Sequence, residues 1–291
     1  MSRVKAVVGE ERSWGQYRED KTFSQRYHVR AYEPHANGRL DFGGLLRYCE
    51  IIANEASAVA GFNSDWYINR GESWVIFKQT LELATPVGIG DILGVQTWIR
   101  DYARVRANRD YLVWHADSGK IAARATATWA YVNRESQSPK RFPAEFTERL
   151  PIVPLSSLSP RFQWGLPYQA ALPLSILRLT ARYSETDTLK HVNNCVYADW
   201  LHEAALMSFQ EWHAAIDPQL VLLTQSPLLP RRLQISYQHS ALPGDEVIIT
   251  SVPERISSRG IALKQTITRR DEAQTVLITA ISEYLNTSVV G

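Results

Sequence analysis

Apolar residues follow two periods along this chain, and the periods come in the same order twice. In the first half a strand-like YHVRAY (27–32) leads to LLRYCEIIANEASAVAG (45–61), where Leu45, Cys49, Ile52, Ala56 and Val59 recur at helical spacing and Gly61 suits a C-cap. Four strand candidates rich in β-branched and aromatic residues follow: WVIFKQTLEL (74–83), ILGVQTWIR (92–100), DYLVWHA (110–116) and ARATATWAYV (123–132). In the second half ILRLTARY (176–183) precedes CVYADWLHEAALMSFQEW (195–212), with Val196, Trp200, Ala204 and Met207 as its apolar stripe. Its strand candidates are RRLQISYQHS (231–240), EVIITSVPERI (246–256), IALKQTITRR (261–270) and TVLITAISEYL (275–285).

The two halves also keep a constant spacing. Asp91 and Asp245, each after a glycine at the entry to the second post-helix strand, stand 154 residues apart, as do Asp117 and Asp271 at the next turn. The shared offset indicates a tandem duplication. Short turns between successive strands imply antiparallel pairing, and a single helix per sheet must be buried against one face. The predicted fold class is α+β, each half a curved antiparallel sheet wrapped around one long helix.

Seven of the 14 prolines fall between Pro139 and Pro173, a density that sustains neither a helix nor a central strand. The expected division is a flexible tail over 1–22, an N-terminal domain over 23–134, a Pro-rich linker over 135–173 and a C-terminal domain over 174–291. Charge changes the picture little: 32 Lys and Arg against 30 Asp and Glu in 291 residues do not suggest a nucleic-acid binder. The N-terminus lacks the apolar core of a secretory signal, and no apolar run is long enough to span a bilayer, so a cytoplasmic protein without membrane insertion is expected. Cys49 and Cys195 have no metal-ligand spacing and are expected to be buried thiols.

The candidate chemistry sits at the start of the second helix. No GxSxG, HExxH or Walker A pattern occurs, and GIGDILG (88–94) has the wrong glycine spacing for a dinucleotide loop. What remains is Asp187-x-x-x-His191-Val192-Asn193-Asn194, running into an apolar-faced helix. Unpaired amides and the positive end of the macrodipole there favour an oxygen that develops negative charge. Spacing alone equally allows Asp187 as a turn or capping residue and His191 as a packed histidine. Aligning Glu50 with Glu203 places Pro34 opposite Asp187 and Gly38 opposite His191, so only the second half is expected to carry the polar group.

Four stretches in order resemble the acyl-ACP thioesterases, the plant FatA/FatB type and their bacterial relatives. RYSETDTLKHVNNCVYADWLHE is similar to SDxDxNxHVNNxxYxxWxxE, WVIFK (74–78) to WxxxK, GDILGVQTW (90–98) to GDxVxVxTW, and residues 109–136 to RDWxVxDxxTGExxxRAxSxWVxMNxxT. The likeness runs from about Tyr27 to Tyr284. It implies a tandem double hotdog that hydrolyses fatty acyl thioesters held on acyl carrier protein, with the acyl chain in the N-terminal half and catalysis in the C-terminal half. Asp187 and His191 match the family's catalytic Asp and His. The family's Asn falls at Leu189, and its downstream Glu falls near Ser240.

The mechanism so implied is direct hydrolysis without metal or organic cofactor: Asp187 or His191 orients and deprotonates a water, helix-start amides with Asn194 hold the oxyanion, and His239 or Ser240 assists. Trp74, Ile76, Cys49, Ile52 and Ala53 are candidate acyl-chain contacts, although any hotdog core needs the same residue types. Acyl carrier protein, being acidic, is expected to dock on Arg104, Arg106, Arg109, Lys140, Arg141, Arg231 or Arg232. Hydrolysis of acyl-CoA or polyketide-type thioesters and non-catalytic acyl binding are the alternatives, and either a monomer or a homodimer is compatible with two hotdogs in one chain.

Overall fold

The computed structural model describes residues 15–159, 172–215, 228–257 and 259–286. Each half contributes one long helix, α1 (Phe42–Val59) and α4 (Asn194–Ala215). The first half supplies strands β1 (Gln16–Tyr17), β2 (Phe23–His28), β3 (Glu72–Leu83), β4 (Ile92–Ala103), β5 (Arg106–His115) and β6 (Ile121–Asn133). The second supplies β7 (Ser175–Thr180), β8 (Leu228–Tyr237), β9 (Glu246–Ser257), β10 (Gly260–Arg269) and β11 (Val276–Asn286). All belong to one antiparallel sheet in the order β1-β2-β4-β5-β6-β3-β8-β11-β10-β9-β7. The halves join edge to edge where β3 pairs β8, from Lys78↔Ser236 to Glu82↔Arg232, and Arg232 is ion-paired to Glu82 at that seam. Helix α1 packs on β4 and β2, α4 packs on β7 and β9, and the two helices pack on each other. One core runs through both halves, from Leu45, Leu46 and Ile52 to Leu201, Leu263 and Ile267. This is the double hotdog.

The duplication is visible bond by bond. Val29 N–H donates to Asp91 O as Ala181 N–H does to Asp245 O, and Leu40 N–H donates to Val87 O as Val192 N–H does to Ala241 O. At the helix mouths the offset is 152 rather than 153. His35 N–H donates to Arg39 O where Asp187 N–H donates to His191 O, and the left-handed residue of that turn is Gly38 in one copy and Lys190 in the other. His35, not Pro34, therefore stands opposite Asp187, and Arg39, not Gly38, stands opposite His191.

The expected strand at 27–32 begins and ends earlier, at Phe23–His28, because Val29 turns to bond Asp91 and the Glu33 carboxylate caps Arg30 N–H. Two short helices were not anticipated. Helix α2 (Ser64–Arg70) starts where Asn63 Oδ1 accepts from Trp66 N–H at 2.9 Å and ends at Gly71 with φ of 61°. Helix α3 (Glu145–Arg149) lies inside the Pro-rich stretch, just after Pro143. That stretch is packed rather than free. Phe146 is fully buried and stacks on Phe62 at 4.2 Å, and Ser157 N–H donates to Asp110 Oδ2. Likewise β1 falls inside the expected tail, pairing with β2.

Glu72 ties the same stretch to β3 and β6. It is buried and accepts from Tyr131, Lys140 and Arg70. Burial alone would raise its carboxyl, but those three donors outweigh it and hold it down to about 2. A carboxyl lower in the folded than in the unfolded chain stabilises above the ordinary Glu pKa of about 4.3 and loses that stabilisation as pH falls through the folded value. Glu72→Gln is expected to lower the denaturant midpoint at pH 7, with the gap to the natural chain narrowing from about pH 4 down to about pH 2. A gap that does not change with pH in urea titrations would contradict this.

Candidate active site

The loop before α4 is braced on every side. Glu185 accepts from Arg182 N–H and from Trp200 Nε1, and its carbonyl receives Asn193 N–H. Asp187 Oδ1 accepts Leu189 N–H at 2.7 Å, closing a turn that places Lys190 at φ 64°. Asn193 Oδ1 then caps the helix by accepting Cys195 N–H at 2.8 Å. Among the described residues no group pairs with the backbone N–H of Asn194, the first residue of the helix. An unpaired amide at the positive end of a helix can stabilise an oxygen that develops negative charge.

Asp187, His191 and Asn194 face a cavity of about 950 Å³. His239 and Ser240, exposed on the chain that leaves β8, stand on its rim. Among the described residues no side-chain hydrogen bond joins the Asp187 carboxylate to the His191 ring, the two residues being tied only through the backbone, and the ring has no other partner. Leu189 also lines the cavity, so the side chain at that position offers no hydrogen bond. Tyr237 closes the sheet side, its hydroxyl donating to Gln79 Oε1 at 3.1 Å or Asn194 O at 3.3 Å.

From this polar end the cavity continues into the first half, along Ala53, Asn54 and Ser57 of α1 and past Trp74, Ile76, Trp129 and Phe146. Of the residues expected as acyl contacts, Trp74, Ile76 and Ala53 line this cavity. Cys49 and Ile52 do not. They lie on the side of α1 turned into the core, about 1% and 0% exposed, and contribute packing only.

Two expected docking cations are also displaced. Arg109 is 6% exposed, because Ala107, Arg109, Tyr111 and Val113 alternate on the buried face of β5, and it lines the cavity. Arg232 is held in the seam by Glu82, and Arg231 donates to Leu83 O. Lys140 is paired with Glu72, whereas Arg104, Arg106 and Arg141 are exposed.

Reading the sequence missed Glu50. It projects from α1 to the start of α4, where Asn193 Nδ2 donates to both of its oxygens at 3.2 Å and the Cys195 thiol donates to Oε2 at 3.3 Å. A charged residue flanked by the buried Cys49 and Ile52 on a helix was the available signal. Cys195 is fully buried, and burial first and Glu50 second push its thiol well above the usual value. It stays protonated near neutrality and is not a nucleophile.

The mouth of α1 is polar as well, contrary to expectation. Asp41 caps α1 by accepting Gly44 N–H and lies 2.8 Å from His35 Nε2. Side chains pack into the space there. Phe42 and Tyr284 are fully buried, and Asp199 fills the space in front of Gly43, where a Cβ would come within 1.7 Å of Asp199 Oδ1. His35, Asp41 and Asp199 bring one ligand atom each within 4.8 Å, but the Arg47 guanidinium already occupies Asp199.

Comparison with known proteins agrees with this architecture. The profile of the acyl-ACP thioesterase N-terminal domain matches residues 20–150, and that of the C-terminal domain matches residues 170–283. A chloroplastic palmitoyl-acyl carrier protein thioesterase of Gossypium hirsutum is 23% identical over 209 residues, 66% of this chain and 49% of that protein. A chloroplastic oleoyl-acyl carrier protein thioesterase of Arabidopsis thaliana is 22% identical over 226 residues, 72% of this chain and 62% of that protein. The chain thus spans about half the length of the first of these curated relatives and somewhat more of the second. Among solved structures, the 12:0-ACP thioesterase of Umbellularia californica superposes with a TM-score of 0.70 at 18% identity, over 91% of this chain and 94% of that one. An acyl-ACP thioesterase of Bacteroides thetaiotaomicron gives 0.68 at 19% identity, over 91% and 98%. With both domain profiles matched in order along most of its length, the chain belongs to the acyl-ACP thioesterase family.

Proposed function

We propose that this protein hydrolyses fatty acyl thioesters carried on acyl carrier protein, releasing the fatty acid and the free carrier thiol. The observation that carries this reading is the single cavity with a polar end at the start of α4 and a largely apolar extension into the other half. A thioester carbonyl placed at the free Asn194 N–H has its acyl chain directed along Ala53 and Ile76. Asp187 and His191, on the same wall, hold a water for attack on the carbonyl carbon. The thioester has little of an amide's resonance, so moderate activation suffices. The names of the relatives support the carrier-bound substrate.

A panel of acyl-ACPs of graded length, with the matching acyl-CoAs, is the direct test. Free-thiol release is expected from the ACP series, with Asp187→Ala and His191→Ala each lowering kcat by about 100-fold or more while the thermal midpoint holds. Faster turnover of the CoA series would move the assignment to a CoA thioester hydrolase, and acyl binding with no thiol release would remove the hydrolase.

The exposed Arg104 and Arg106 at the β4–β5 turn are the docking cations that remain free on the first half, with Arg106 over the Phe77 ring at the cavity wall. Arg104→Glu with Arg106→Glu is expected to raise KM for acyl-ACP several-fold at low salt, an effect that fades as added salt screens the surface. A KM insensitive to both would place the carrier elsewhere.

Thiol chemistry is not part of the reaction. Burial pushes the Cys49 thiol to about 12 and, with Glu50 adding to it, raises that of Cys195 well above its ordinary value. Iodoacetamide at neutral pH is therefore expected to leave both thiols unmodified by mass and activity undiminished. Rapid inactivation with adduct at Cys195 would contradict this.

A further inference from the structure

The reading above leaves the attacking water without a well-placed base. Asp187 commits one oxygen to its own turn, and Ser240 stands where a second carboxylate was expected from the family pattern. We propose that Glu50, delivered from the helix of the non-catalytic half, takes the proton of the attacking water. This inference rests on the hydrolase reading.

Three observations carry it. First, Glu50 lines the same polar end of the cavity as Asp187, His191 and Asn194. Second, it is a half-buried carboxylate with no ion-pair partner among the described residues; its contacts are the long ones from Asn193 and the Cys195 thiol, which leave acceptor capacity on both oxygens. A carboxylate that needed only neutralisation would sit beside a cation, and the nearby Arg47 is taken by Asp199.

Third, its position is a built feature of the fold. Arg47 and Asp199, equivalent residues of the two repeats, pair with each other where the helices cross, so each helix presents its next turn to the start of the other. On α4 the residue equivalent to Glu50 is His202, and it lies against Phe42 at the start of α1, with Nδ1 3.1 Å from the Tyr284 hydroxyl. That mouth is filled. The matching mouth that holds Glu50 is open.

The step balances. The water O–H bond breaks and its proton passes to the Glu50 carboxylate as the new C–O bond forms. The carbonyl electron pair moves onto oxygen and is held by Asn194 N–H. Collapse breaks the C–S bond, and the departing thiolate takes the proton back from the Glu50 carboxylic acid, leaving free acid, thiol and the original carboxylate.

The alternative role for Glu50 is to accept from Asn193 and so position the cap of α4. Glu50→Gln separates the two, because the amide keeps an acceptor oxygen for Asn193 Nδ2 and loses the base. With acyl-ACP as substrate, E50Q is expected to lower kcat by about 100-fold or more with KM within a few-fold and the thermal midpoint retained. Glu50→Asp, which keeps a carboxylate, is expected to recover at least tenfold over E50Q. An E50Q within a few-fold of the natural enzyme, or an E50D no faster than E50Q, overturns the role of Glu50 while leaving the hydrolase intact. A natural chain that releases no thiol from any acyl thioester overturns both.

Discussion

Everything at the active site depends on how α1 and α4 cross. Their contact is fixed by a bidentate pair between Arg47 and Asp199 and by the absence of a side chain at Gly43, which lets the Asp199 carboxylate approach the backbone of α1. A methyl group at Gly43 would collide with that carboxylate and displace it from its pair with Arg47. Glu50 is one turn beyond Arg47 on the same helix, so the crossing that this pair fixes also sets the approach of Glu50 to Asn193 and Cys195. The pair is half-exposed on the arginine side, so its value lies in geometry more than in stability.

The crossing is close to a two-fold arrangement, yet the two mouths have opposite fates. Around α1 the space is taken up by Phe42, Tyr284, His202 and Asp199, and the His35–Asp41 pair is left as polar packing over a filled site. Around α4 the position equivalent to Phe42 is Asn194 and the one equivalent to His202 is Glu50, both polar and lining the cavity that opens from there into the other half. Duplication of one hotdog thus produced two helix starts of the same build, one of which is occupied by side chains while the other has room for a thioester.

Much of this was legible in the sequence because it is local or periodic. Both long helices and nearly every strand followed from apolar spacing, and the turn from Asp187 to Asn194 stood out by its density of hydrogen-bonding groups. What was not legible depends on contacts between distant segments. Glu50 and Asn193 meet only through the helix crossing, and Arg232 is drawn inward only by the pairing of β3 with β8. Arg109 was misplaced for a different reason: a charged residue suggests surface, but the alternation of Ala107, Tyr111 and Val113 around it assigns it to the buried face. Helix α3 was hidden by its proline-rich surroundings, although Pro143 just before it is compatible with a helix start.

The central claim is that one cavity, built by the crossing of α1 and α4, holds the reacting carbonyl at the start of α4 and the acyl chain in the opposite half. A crystal structure with an acyl carrier protein bearing a non-hydrolysable acyl amide tests it most directly. The account predicts the carbonyl oxygen within hydrogen-bonding distance of Asn194 N–H, Glu50 facing the carbonyl carbon across a water, and the chain running past Ala53 and Ile76. An acyl group lying in the C-terminal half alone, or a carbonyl remote from the start of α4, would contradict it.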